Sequence, residues 1–100
     1  LNSAQPLKGH EIYSWQVDGD WHFALLAGTN RIKTLDEVTS PDVSVEGTEA
    51  LRGKLNRLSN GERVFWSARR VRGLAMPPDD IISEIGAYCA QLGILLEIDL

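Results

Sequence analysis

One hundred residues make room for one domain with one modest core, since a chain of this length buries only about 60 to 70% of the surface it exposes when unfolded. A hydrophobic fraction of 43% and a charged fraction of 24% exclude wholesale disorder, and ten Lys plus Arg against fourteen Asp plus Glu, a net charge of -4, exclude nucleic-acid binding through overall charge. The single cysteine, Cys89, excludes an intramolecular disulfide and a four-cysteine zinc site.

No apolar run approaches the roughly 20 residues a membrane span needs, so the chain is expected to be soluble. Residues 1–7 read as a flexible N-terminal segment, followed by one α+β domain over residues 8–100. The polar, small, Pro-containing run Asn2-Ser3-Ala4-Gln5-Pro6 suits a tether behind an export signal as well as a plain domain boundary. The reading leans to an exported, periplasmic or secreted protein over a cytoplasmic one and leaves the compartment open.

Between Gly9 and Thr29, two alternating runs flank Asp18-Gly19-Asp20, a strong signal for a β-hairpin. Pairing Val17 with Trp21 gathers Tyr13, Trp15, Trp21, Phe23 and Leu25 on one apolar face, which is the favoured register. A tight two-residue turn pairing Val17 with Asp20 would divide these aromatics between the faces. Thr34-Leu35-Asp36-Glu37 has the spacing of a capping box, and Ser40-Pro41 limits it to one helical turn.

Leu51, Leu55 and Leu58 recur at helical spacing and predict a first helix over about Thr48–Leu58, stopped by Ser59-Asn60-Gly61. Glu62–Ala68, with Val64-Phe65-Trp66 apolar on both faces, predicts an interior strand. Pro77-Pro78-Asp79-Asp80 opens a second helix whose buried stripe is Ile81, Ile85, Cys89 and Leu92, capped at Gly93. Ile94–Leu100 alternates as a last strand, with Leu95, Glu97 and Asp99 outward. The fold expected is a two-layer sandwich, an N-terminal hairpin followed by α-β-α-β, with a mixed four-stranded sheet and both helices on one face. Strands in the order 1-2-3-4 are the simplest arrangement. The alternative slots the last strand between the second and third. The 29–47 connection is read as a cover over the open sheet face.

In the simplest strand order, the ends of the second and third strands share an edge, where α/β proteins place ligands. That edge would gather His10, Asn30, Arg31, Lys33, Arg69, Arg70 and Arg72, a set suited to carboxylate or phosphate recognition. His10 and His22 lie too far apart to share a metal ion, adjacent His10 and Glu11 point to opposite faces, and Cys89 falls on an apolar stripe. No catalytic set and no cofactor motif is evident, which leans the reading away from an enzyme. The function expected is a noncatalytic binding or structural module that engages a protein or a small anionic ligand through the basic strand-end edge. A small enzyme acting on an anionic substrate and a nucleic-acid-binding domain are the alternatives.

Overall fold

The computed structural model describes residues 9–29, 32–38, 44–69 and 71–99. The expected N-terminal segment, the Ser40-Pro41 stop, Asn30, Arg31, Arg70 and Leu100 lie outside the described residues. The elements are β1 His10–Val17, β2 Asp20–Ala27, a 3₁₀ turn Leu35–Glu37, β3 Ser44–Glu46, α1 Gly47–Leu55, β4 Arg63–Ser67, α2 Asp79–Leu92 and β5 Leu95–Asp99.

The expected α+β sandwich is present, with both helices packed on one face of a mixed sheet. The four expected strands lie in the order β2-β1-β4-β5, and the three-residue β3 pairs with the outer edge of β2. This differs from both strand orders considered from the sequence, because β4 pairs in parallel with β1 rather than lying beside β2. The physical reason is β3, which occupies the free side of β2 and leaves the other side of the hairpin, along β1, for the next strand. Strands β1, β3, β4 and β5 then run in one direction and β2 alone runs against them.

The hairpin closes through the tight turn. Val17 pairs with Asp20, and Asp18 (φ 52°) and Gly19 (φ 88°) both take the left-handed conformation of a type I′ connection. The expected Val17–Trp21 register is thus corrected by one residue. That register would keep the aromatics on one face and out of solvent, but over the hairpin both faces of the sheet are covered. Ile12, Phe23, Val64 and Trp66 pack under Leu51 and Leu55 of α1 and Ile85 and Cys89 of α2. Tyr13, Trp15 and Ala24 pack on the opposite face beneath Ile32, Leu35 and Val38. The described part of the 29–47 connection therefore covers the hairpin part of the face, with Leu74 from the β4–α2 connection beside it, and leaves Phe65 and Leu95, which the expected cover included, outside it.

The seam between β1 and β4 is locked by a polar group in the middle of the core. Ser14 is buried, accepts the Trp66 indole N–H at 2.9 Å and donates its hydroxyl to Ala75 O at 2.6 Å, while Ala75 N–H donates to Ser14 O at 2.9 Å. The chain that leaves the sheet after Ser67 thus returns beside β1 at Ala75, which closes the strand's exposed flank.

Thr34 makes no side-chain cap at the 3₁₀ turn; the Glu37 carboxylate instead accepts the Lys33 N–H at 3.1 Å, one residue before the expected position. Helix α2 ends as its sequence indicates. Gly93 has φ 74°, its N–H donates to Ala90 O at 3.2 Å and the Ile94 N–H donates to Cys89 O at 2.9 Å, the paired bonds of a Schellman cap. Cys89 is buried among apolar side chains, and burial pushes its thiol up to about 11. Among the described residues, no helix is long and apolar enough to cross a membrane.

Candidate functional site

Side chains alternate across the strands, so Glu11 of β1, Phe65 and Ser67 of β4, and Leu95, Glu97 and Asp99 of β5 share the face opposite the helices. Loops cover this face over the hairpin, where Tyr13, Trp15 and Ala24 lie. Over β4 and β5 it bears a groove of about 400 Å³, lined by Glu11, Thr29, Phe65, Ser67, Glu97 and Asp99 together with parts of Trp66 and Ile98. Register places Glu11, Phe65 and Glu97 in one row across three neighbouring strands, and Ser67 and Asp99 in the next row.

Each carboxylate of the groove has a partner. Glu11 is 1% exposed and accepts the Tyr13 hydroxyl at 2.8 Å, so it forms part of the floor. Glu97 accepts Arg63 Nη2 at 3.0 Å, and the same guanidinium lies 5.7 Å from the centroid of the Phe65 ring. Asp99 accepts the Ser67 hydroxyl at 3.3 Å and stands 3.9 Å from Arg69 Nε. Ser67 Oγ in turn accepts the Arg69 N–H at 3.2 Å, which fixes the first turn of the loop after β4. Both arginine pairs are more than half exposed, where such pairs contribute about 0–1 kcal/mol.

The residues expected to converge are distributed differently. Because β2 runs against β4, the end of β2 lies with the beginnings of β1 and β4, at the opposite edge from the end of β4. The expected common edge for these two strand ends is therefore corrected. His10 stands at the starting edge with Nδ1 2.9 Å from Glu62 Oε2, an ion-pair distance without hydrogen-bond alignment. Arg69 stands at the other edge beside Asp99, and Arg72 is exposed in the same connection. Lys33 is exposed in the segment that covers the hairpin. Asn30, Arg31 and Arg70 lie outside the described residues. The groove nonetheless links the two edges, with Thr29 at one end and Ser67 and Asp99 at the other.

His10 and His22 fall on opposite faces of the sheet, and His22 stacks on Trp15 with ring centroids 5.9 Å apart. Among the described residues, no group of three or more His, Cys, Asp or Glu side chains is arranged to hold a metal ion.

Sequence reasoning placed Glu97 and Asp99 on the outer face of the last strand but did not connect them with Glu11 or Phe65. The missing information was the β1–β4 pairing, which has no local signature. Comparison with protein-family models, with curated proteins and with solved structures finds no match.

Proposed function

We propose that this chain is a noncatalytic binding module that engages a protein partner through the groove over β4 and β5. The observation that carries the reading is the row Glu11–Phe65–Glu97, which sets a half-buried aromatic ring between two acids on a sheet face left open by the loops. An aromatic anchor bordered on its open side by the exposed Glu97 and Arg63 has the composition of a recognition surface. Tyr13 holds Glu11 in the floor, Arg63 and Ser67 hydrogen-bond Glu97 and Asp99, and Arg69 stands beside Asp99. The two exposed carboxylates in the lining, Glu97 and Asp99, make a free anion or a nucleic-acid backbone a poorer occupant than a protein surface. Arg69, from the residue set expected at a strand end, borders this groove through Asp99 and belongs to the proposed surface.

The test is a photo-cross-linking amino acid placed at position 65, with the exposed position 57 in the turn after α1 as control, in cells that express the protein. A discrete adduct at 65 that is missing at 57, and missing again in a Glu97→Lys/Asp99→Lys background, is expected. Equal labelling at both positions, or none at 65, would overturn the reading.

A further inference from the structure

The sheet has two edges of unequal kind. At one, β3 is only three residues long; at the other, β5 has five residues and, among the described residues, no strand beyond it. In a parallel ladder each residue directs its N–H and C=O to the same neighbour. The Leu95 N–H donates to Glu62 O at 2.8 Å, so Leu95, Glu97 and Asp99 bond to β4. The backbone groups of Leu96 and Ile98 therefore point away from the sheet, and among the described residues no backbone group meets them.

An open strand edge of this kind is a template for another strand, and natural proteins guard such edges with charge. Here the charge has one sign. Glu97 and Asp99 alternate with Leu96 and Ile98, which face the helix-side core. A second copy of the chain laid antiparallel on β5 would bring Glu97 against Glu97 or Asp99, a like-charge pairing that opposes self-association. Arg63 and Arg69 reach these acids from the β4 side through exposed, weak pairs, and a strand with basic residues on the same face would meet Glu97 and Asp99 from the open side, on a protein whose net charge is -4.

We propose that β5 accepts an extended segment of a partner protein as an added strand, with alternating basic and apolar residues. Its basic side chains face Glu97 and Asp99, and its apolar ones extend the row of Leu96 and Ile98 along the helix-side core. This inference rests on the binding reading of the groove and specifies how the partner is held: main-chain hydrogen bonds supply the affinity, and the alternating pattern supplies the specificity.

The experiment uses the full chain and an end-blocked nine-residue peptide of alternating Lys and Val, followed by amide hydrogen exchange. Binding is expected to slow exchange at Leu96 and Ile98 by about tenfold or more and to leave Leu95, already bonded to Glu62, unchanged. The same peptide N-methylated throughout, and a Glu/Val counterpart, are each expected to bind at least about tenfold more weakly, as is the Lys/Val peptide to Glu97→Lys/Asp99→Lys. No binding of the Lys/Val peptide overturns the proposal, as does equal binding of the N-methylated peptide. Protection of Leu96 and Ile98 that rises with protein concentration in the absence of peptide overturns it in favour of a second copy. Where the cross-link at position 65 persists while these results fail, strand addition falls and the groove reading stands. Where both fail, both fall.

Discussion

Trp66 and Ser14, 52 residues apart in the chain, meet in the core through an indole N–H donated to the serine hydroxyl at 2.9 Å. That contact joins the hairpin to β4 and so holds Glu11 beside Phe65 in the groove.

Ser14→Ala is therefore expected to destabilise the protein by about 1–3 kcal/mol, because a buried indole donor and a backbone carbonyl both lose their partner. Urea unfolding checks this. A loss below about 0.5 kcal/mol would show that the hydroxyl is dispensable to the seam.

Val38 is fully buried over Tyr13 and Trp15, while Ile32 and Leu35 beside it are only partly buried, so it is the most deeply set of the described loop residues that cover the hairpin. Val38→Ala is expected to cost about 1–3 kcal/mol, while Val38→Asp should open the cover and raise the binding of a hydrophobic dye. Unchanged dye binding by the aspartate variant would mean that other residues hold the cover.

Gly93 sits at φ 74°, and a Cβ there would run into the side-chain amide of Asn60. Gly93→Ala is expected to lose about 1–2 kcal/mol, mostly to the left-handed backbone, since the amide end of Asn60 can move aside. A Gly93→Ala/Asn60→Ala double variant should recover only a small part of that loss in thermal unfolding. Full recovery would assign the effect to the contact instead.

The Cys89 thiol is raised from 9.0 to about 11 by burial, so the folded state holds its proton more tightly than the unfolded state does. Its contribution to stability is fully present below pH 9 and is lost as the pH rises from about 9 through about 11. A Cys89→Ala variant should show a shallower fall in stability across that window. In the native protein at pH 8, alkylation should be slow and should accelerate when denaturant is added; rapid native labelling would contradict the burial.

The elements themselves were legible because their signals are local. Asp18-Gly19 marked the hairpin, the leucine spacing marked α1, Pro77-Pro78 and Gly93 bounded α2, and the alternation after Ile94 assigned Glu97 and Asp99 outward. The site was less legible. His10, Lys33, Arg69 and Arg72 were grouped on an edge that assumed β2 beside β4, and the pairing of β1 with β4 distributes the described members between two edges and a loop.

By itself, then, the sequence determined the class of fold, the helices on one face, the hairpin's position and the outward acids of β5, since propensity, turn chemistry and periodicity act within a few residues of the chain. Only the tertiary structure decided the hairpin register, the strand order and the groove. Register was open because both faces of the hairpin find apolar cover, so neither assignment wets the aromatics. Strand order was open because it depends on β3 occupying one side of β2, a long-range pairing whose stability comes from neighbours distant in sequence.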